Sequence, residues 1–132
     1  METKFNFNSQ VCTSRSQSER LLSLGLKKET ADMVLLKEMV YDEENHCTRD
    51  GENYLIRPID YLEGEEHRGH IPAWSLHRLI NIIQEDCPRL DIIKNVVWIK
   101  SVRFNADNTY DNLISAYEWL IKEGYFNKEY LV

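Results

Sequence analysis

The sequence is poor in cysteine, glycine and proline, and it lacks long hydrophobic runs. Its 132 residues include three cysteines, five glycines and three prolines. An odd number of widely spaced cysteines does not form the disulfide framework of a small secreted protein, so a reducing cytoplasm is the expected compartment. No apolar run approaches the roughly 18 residues that span a bilayer, and the first residues lack the apolar core of a signal peptide. We therefore expect a cytoplasmic protein that is neither secreted nor inserted into a membrane.

Basic residues are also scarce, because 16 Lys and Arg stand against 22 Asp and Glu and give a net charge of −6. They are scattered along the chain, with Lys27-Lys28 as the one adjacent pair, so nucleic-acid binding is not expected. The hydrophobic share of 42% and the charged share of 29% are ordinary for a folded protein. A chain of this length fits one domain, 1–132, in which the mostly polar residues 1–13 are a candidate flexible segment.

The clearest helix signal lies in the segment 71–84. Pro72 suits a first helical turn, because its fixed φ is helical and its missing N–H would be unpaired there. The helix is predicted over 72–85, since Cys87 precedes Pro88 and is pushed out of the α region. Apolar residues recur in this segment at steps of three and four and so share one buried face. They are Ala73, Leu76, Leu79, Ile80 and Ile83.

Two more helices are predicted from their end signals. Ser16 and Glu19 match a capping box, and Gly25 suits the left-handed residue that closes a helix, which predicts a helix over 16–24. Thr109 is a suitable N-cap for a last helix over 109–124, which Gly124 ends. The large apolar residues after it are expected to fold back onto the core. The apolar stripe of the last helix consists of Tyr110, Leu113, Ile114, Tyr117, Leu120 and Ile121.

Strands are predicted over 34–41, 53–57 and 96–104. The segment 28–41 is ambiguous, because its short apolar run fits a helix as well as a strand and periodicity does not decide such runs. A strand is favoured, since 42–52 has the composition of an acidic loop with an Asp-Gly turn, which would lead into an antiparallel partner. The apolar run from Val96 to Ile99 suggests a central strand. These elements predict an α+β fold, with about three helices packed on a small, mainly antiparallel sheet.

Three stretches carry a resemblance to other proteins: Thr30-Ala31-Asp32-Met33, the residues from Ile71 to Leu76, and those from Glu118 to Tyr125. Together they resemble a group of small uncharacterised proteins found around prophages and other mobile elements of Bacteroides-type bacteria. The resemblance covers most of the chain after residue 15. Its motifs are structural, so it implies a biological context but no activity, cofactor or catalytic residue. The acidic insertion 42–52 and the Glu65-Glu66-His67 loop depart from the pattern.

Two predicted loops contain candidate metal ligands, His46 and Cys47 on one and His67 and His70 on the other. Zinc is held by three or four nitrogen or sulfur donors, and a catalytic zinc site keeps one position open for water. However, His67 and His70 are three residues apart rather than the four of an HExxH motif, and the chain has no CxxC pair. Surface histidines in polar loops are the alternative interpretation.

The outer side of the helix predicted over 72–85 suggests an interaction site formed by Trp74, His77, Arg78 and Asn81. An exposed Trp beside an Arg is typical of the residues that dominate binding at protein interfaces. Arg78, one turn on, would stack over the Trp74 ring. In the alternative interpretation Trp74 packs beneath a neighbouring loop or the C-terminal tail, because large aromatic side chains are mostly buried.

The leading functional hypothesis is a non-enzymatic accessory protein of a mobile element that acts by binding a protein partner. It is motivated by two observations. The sequence shows neither a set of catalytic residues nor a cluster of basic residues, and the predicted face around Trp74 is a candidate binding surface. No cofactor is expected under this hypothesis. The alternative is a small metal-dependent hydrolase that uses zinc held by His46, Cys47, His67 and His70.

Overall fold

The computed structural model describes residues 9–62 and 70–132, and within them the chain forms three α-helices and two three-stranded antiparallel sheets. The predicted α+β class is confirmed, although the strands expected in one sheet are divided between two. Short 3-10 turns occupy Lys28–Thr30, Ile59–Leu62 and Lys128–Tyr130. In chain order the main elements are α1 (Arg15–Ser23), β1 (Met33–Asp42), β2 (Cys47–Pro58), β3 (Ile71–Ala73), α2 (Leu76–Gln84), β4 (Leu90–Ile93), β5 (Val96–Ile99), β6 (Val102–Phe104) and α3 (Thr109–Glu123).

The first sheet has the strand order β2-β1-β3. β1 is the strand favoured at 34–41, and a 3-10 turn precedes it, so the ambiguous segment is not an α-helix. Pro72 lies in β3, opposite Val34, rather than in the first helical turn predicted for it. β3 is an edge strand, where the missing N–H of a proline can face away from the ladder.

β1 and β2 continue beyond β3 as a hairpin, and we call its outer part, residues 38–52, the arm. The prediction of a loop over 42–52 is wrong for most of its length, because β2 begins at Cys47 and the turn is confined to 43–46. Asp42 closes this turn, since its carboxylate accepts hydrogen bonds from the backbone N–H of Glu44 and from the amide of Asn45, at 3.0 and 2.9 Å. The pairing register shifts between Lys37 and Met39, an irregularity that bends a ribbon.

The second sheet has the order β4-β5-β6, with β5 at its centre as its apolar faces suggest. The segment predicted as one strand over 96–104 is a hairpin, β5 and β6, joined at Lys100 and Ser101. Both residues are left-handed, with φ values of 49° and 66°. Such a pair forms a tight turn that suits the twist of the strands, but its usual sequence signal is Asn-Gly. Lys-Ser is not such a signal, so the sequence predicts one continuous strand at this position. The short strand β4 is not predicted either.

The helices end close to the predicted residues, and α1 and α3 begin within one residue of the predicted start, whereas α2 begins four residues later than predicted and none of the three caps is a residue expected in that role. Ser14, not Ser16, caps α1, and its capping-box partner is Gln17. Ser75 caps α2, and Asn108 rather than Thr109 caps α3. Several neighbouring polar residues could serve as a cap, so the backbone contacts around each start decide which one does.

The main core forms where α3 packs against α1, α2 and the second sheet. The predicted stripe of α3 is buried from Tyr110 to Leu120. The chain end folds back as expected, with the rings of Phe126 and Tyr117 5.2 Å apart between centroids. Of the candidate flexible segment 1–13, residues 1–8 lie outside the described range, whereas Cys12 is buried against the first sheet.

Candidate protein-interaction site

Trp74, predicted as the centre of an exposed face on α2, is fully buried in the main core. It lies in the link between β3 and α2, so helical periodicity does not set its direction. Its indole Nε1 donates to Oγ1 of Thr30 at 2.9 Å, and its backbone N–H donates to Oγ1 of Thr13 at 3.0 Å. The exposure predicted for Trp74 is therefore wrong, and the residue has a packing role.

Of the other three predicted interaction residues, one stabilises the fold and two are exposed. Arg78 is half-buried, and its Nε donates to the carbonyl oxygen of Thr30 at 2.7 Å, which ties α2 to the turn before β1. His77 and Asn81 are exposed one helical turn apart, with Asn81 Nδ2 3.1 Å from His77 Nε2. Only these last two remain at an accessible surface.

Asp32 and Ser75 fix the start of α2 through hydrogen bonds. The Ser75 hydroxyl donates to Oδ2 of Asp32 at 2.5 Å, and its backbone N–H donates to Oδ1 at 2.9 Å. The same hydroxyl accepts from the N–H of Arg78 at 3.1 Å, as an N-cap does. Because both the proton and the oxygen of this hydroxyl are used in starting α2, Ser75 has a structural role.

The described residues do not assemble the predicted zinc site. His46 and Cys47 lie at the tip of the arm, whereas His70 precedes the residue of β3 that pairs with Leu35. His70 is therefore level with Leu36, six residues before Asp42 at the tip of β1. Six strand residues span about 20 Å, at about 3.3 Å each. His67 lies outside the described residues. Within 9–62 and 70–132, no three His, Cys, Asp or Glu residues are grouped to hold a metal ion.

The exposed tryptophan of this protein is Trp98, at the centre of the outer face of the second sheet. Val97 and Ile99 point into the core, so Trp98 between them points outward and is 37% exposed. The strand register places Asp91 of β4 and Arg103 of β6 directly on either side of it. The Arg103 guanidinium carbon lies 5.7 Å from the Trp98 ring centroid, within the range of a cation–π contact. We call this surface, with Ile93, the Trp98 face.

An open groove of about 670 Å³ runs beside the Trp98 face. Its lining includes residues 86–89, which connect α2 to β4, and a rim formed by the turn at Lys100 and Ser101. Trp98 and Ile93 belong to its lining, and Ile93 is 64% exposed. Exposed apolar residues that are rimmed by polar ones are characteristic of binding surfaces.

The turn that forms the rim is conformationally unusual. Neither Lys100 nor Ser101 is a glycine, yet both have positive φ, a costly conformation that clusters at functional sites. The turn directs Lys100 onto Tyr125, with Nζ 4.5 Å from the ring centroid. Tyr125 in turn lies 5.8 Å from the ring of Trp119. The rim is therefore held against the end of α3 by aromatic contacts.

Charge is distributed unevenly over the chain, and the Trp98 face lies in its most basic part. Residues 86–104, which include the groove lining, contain four basic residues and two acidic residues, Asp86 and Asp91, although the whole chain has a net charge of −6. All six are exposed. A local positive surface on an acidic protein attracts negatively charged partners. The four basic residues are Arg89, Lys94, Lys100 and Arg103.

The sequence contained a signal for this face that periodicity alone did not reveal. Trp98 falls in an apolar run, which suggested burial on both sides of β5. Its exposure depends on β4 and β6, whose outward residues Asp91 and Arg103 are charged. Alternation of apolar and charged residues in 90–92 and 102–104 indicates a solvent-facing side, but each segment is too short to be assigned as a strand by itself.

In comparisons with known proteins, no family model, no curated protein and no solved structure matches this chain. Over the described ranges, no helix has both the length and the apolar character needed to cross a membrane.

Proposed function

We propose that this protein is a non-enzymatic binding module that recognises a protein partner through the Trp98 face. The observation that supports the proposal is the partly exposed Trp98 ring, flanked by Arg103 at 5.7 Å and open to a groove of about 670 Å³. Trp and Arg are the residues that most often dominate binding energy at protein interfaces. The exposed pair lies on a sheet, which positions it more rigidly than a loop would.

The surroundings of Trp98 suggest the chemistry of the partner. Ile93 and Trp98 offer an apolar centre. The groove around it is lined by two basic residues, Arg89 and Lys100, and two acidic ones, Asp86 and Asp91, and Arg103 beside Trp98 leaves the surroundings with a net positive charge. A partner that complements both features presents large apolar residues within an acidic segment. The groove is open to solvent, so a segment of another chain can enter it.

The resemblance to proteins of mobile elements supplies the context of the proposal. In that context the protein is an accessory factor that acts by contact with another protein. The metal-dependent hydrolase has no comparable support, because the three described candidate ligands, His46, Cys47 and His70, are not brought together.

A display selection tests the binding face without a known partner. Random peptides are selected on immobilised wild-type protein, and the recovered peptides are measured against Trp98→Ala. Selected peptides should be acidic and contain apolar residues. Trp98→Ala should raise their dissociation constants by at least about tenfold, as expected of an interface hot spot. Recovery of basic peptides, or of none, contradicts the proposal.

Two controls separate binding from folding. Arg103→Glu alters only an exposed side chain, and it should weaken the same peptides while the thermal unfolding midpoint stays unchanged. Val11→Ala truncates an apolar residue on another part of the molecule that is more exposed than Trp98, 58% against 37%. If Val11→Ala weakens the peptides as much as Trp98→Ala, the Trp98 face is not the binding site.

A further inference from the structure

The arm is strongly acidic and has a net charge of −5. Residues 38–52 include six acidic residues and a single basic one, Arg49, whereas the net charge of the whole chain is −6. Most of the arm is exposed on both strands. The acidic residues are Glu38, Asp42, Glu43, Glu44, Asp50 and Glu52.

The arm also exposes apolar side chains on one side. Met39 and Tyr41 are 59% and 57% exposed, and as alternate residues of β1 they point to the same face of the ribbon. Asp50 pairs with Met39 and Thr48 pairs with Tyr41, so both point to this face as well. The face therefore combines two large apolar residues with a carboxylate, which is the chemistry that the Trp98 face complements.

The arm has open edges along which another chain can approach. β3 pairs with β1 only from Met33 to Leu35, so from Lys37 onward the described part of the hairpin consists of two strands. A two-stranded ribbon is marginally stable by itself, and its unpaired edges are natural sites of association. Packing of its apolar face against a second surface would stabilise it.

We propose that the Trp98 face binds the arm of a second copy of this chain, and that two copies exchange arms around a two-fold axis. This inference rests on the proposed function and identifies the acidic segment that the face recognises. Two exposed surfaces of one chain have opposite charge, −5 for the six acidic residues and one basic residue of the arm and +2 for the four basic and two acidic residues of 86–104. Each also exposes apolar side chains, Met39 and Tyr41 on one and Ile93 and Trp98 on the other.

The dimensions of the two surfaces agree with this arrangement. From Lys37 to Asp42 the free part of the arm extends about 17 Å, at about 3.4 Å per residue. Three strands spaced by about 4.8 Å make a sheet narrower than that length, so one arm can cross the Trp98 face completely. The arm of the same copy is paired in the first sheet and leaves Trp98 exposed. Reciprocal exchange uses both surfaces of both copies and forms a closed dimer.

A charge-swap experiment tests this pairing with the full-length chain. Sedimentation equilibrium should show a dimer whose dissociation constant rises with salt, because screening weakens exposed charge pairs. Asp50→Arg on the arm and Arg103→Glu on the Trp98 face should each raise the dissociation constant by about tenfold, since an attraction becomes a repulsion. The double variant Asp50→Arg/Arg103→Glu should recover dimerisation toward the wild-type value, which a general loss of folding cannot do.

Matched substitutions on α3 serve as controls. Lys122→Glu and Glu123→Arg make the same charge changes at exposed positions outside both surfaces, and they should leave the dissociation constant unchanged. Apolar truncations provide a second test, in which Met39→Ala/Tyr41→Ala and Trp98→Ala should each dissociate the dimer.

Three results would overturn the arm exchange. The first is a chain that remains monomeric, with a dissociation constant weaker than about 1 mM. The second is a dimer that is indifferent to both Asp50→Arg and Arg103→Glu, or that the double variant fails to restore. The third is a mass that continues to grow beyond the dimer. If the chain is monomeric but Trp98-dependent acidic peptides are still selected, the proposed function stands and only the second copy is wrong. If neither dimer nor such peptides are found, both fail.

Discussion

The indole of Trp74 donates a hydrogen bond to the hydroxyl of Thr30, 44 residues earlier in the chain, at 2.9 Å. The Thr30 hydroxyl itself donates to the carbonyl oxygen of Lys27 at 2.6 Å, so its proton and its acceptor site are both used. Trp74 and Thr30 are buried, which shields the bond from water. The pair joins the start of α2 to the turn before β1, and this gives the Thr30-Ala31-Asp32 stretch a structural role.

Thr30→Val should destabilise the protein, because valine keeps the shape of threonine but leaves the indole N–H buried and unpaired. An unsatisfied buried donor costs about 1–3 kcal/mol. Urea unfolding measures the loss. Thr30→Ser retains the hydroxyl and should remain closer to the wild type, so equal stability of the two variants would show that the bond contributes little.

Truncation of the core should be costly where α2 and α3 meet. Leu79 and Leu120 are fully buried, and replacing either by alanine should lower the free energy of unfolding by about 2–5 kcal/mol. Val132, which is exposed, is the control, and Val132→Ala should change stability by less than about 0.5 kcal/mol. Losses below about 1 kcal/mol at both leucines would be incompatible with this packing.

The three cysteines should differ in reactivity toward a thiol reagent. Cys47 is exposed at the base of the arm turn, whereas Cys12 and Cys87 are buried. Burial, with a smaller contribution from the nearby Asp32 carboxylate, raises the pKa of the Cys12 thiol to about 11. One thiol per chain should therefore react rapidly in the native state, and Cys47→Ala should remove that phase. Rapid reaction of a second thiol would contradict the burial of Cys12 or of Cys87.

The raised pKa of Cys12 also predicts a dependence of stability on pH. Above its ordinary value of 9.0 the thiol loses its proton in the unfolded chain but keeps it in the folded chain up to about pH 11. Stability contributed by the neutral thiol is therefore complete below pH 9 and falls as the pH rises through this window. Cys12→Ala should show a shallower decline between pH 9 and pH 11 than Cys47→Ala, as measured by urea unfolding. Parallel declines would contradict the assignment.

Asn112 holds two loops beside the second sheet through a buried side chain. Its Oδ1 accepts from the N–H of Ala106 at 2.5 Å, and its Nδ2 donates to the carbonyl oxygens of Asn95 and Ala106. Asn112→Asp keeps the shape but places a buried carboxylate oxygen against two carbonyl oxygens, so we expect a loss of about 3–5 kcal/mol at neutral pH, as for an unpaired buried charge.

The loss in Asn112→Asp should shrink in acid, because a protonated carboxyl can donate where the amide did. The new group is disfavoured when charged, so its pKa lies above the unfolded value of about 3.9 and its contribution to stability falls as the pH rises. The measurement is the difference in unfolding free energy between the variant and the wild type at about pH 3.5 and at neutral pH. A difference that does not change with pH would argue against this contact.

The arm depends on a glycine at its bend. A Cβ placed on Gly51 would lie 2.9 Å from Cγ2 of Val40 and 3.2 Å from the carbonyl oxygen of Glu38. Gly51→Ala should therefore loosen the pairing of β1 with β2, seen as faster amide hydrogen exchange within 38–52. Val40→Ala/Gly51→Ala removes the closer contact and should restore part of the protection, whereas unchanged exchange in Gly51→Ala would show that the ribbon adapts without strain.

The sequence did not reveal which tryptophan is exposed at the candidate site. Trp74 and Trp98 both occur in apolar surroundings, and helical periodicity assigned the outward position to Trp74. That periodicity did not apply, because Trp74 precedes α2 and its direction follows from the extended backbone of β3. Trp98 became exposed because two short flanking strands and a turn at Lys100 and Ser101 form a sheet with one face in solvent.

The sequence by itself determined the α+β class, the strand at 34–41, the stripe of α3 and the left-handed helix ends at Gly25 and Gly124. The helix ends follow from local backbone preference and the stripe of α3 from a repeat long enough to be unambiguous, whereas the strand at 34–41 was favoured over a helix only because of the turn residues that follow it. Only the tertiary structure decided the division into two sheets, the choice of Ser14, Ser75 and Asn108 as caps, and the burial of Trp74. These depend on partners far apart in the chain, such as Thr30 for the indole of Trp74, and a local pattern contains no information about such contacts.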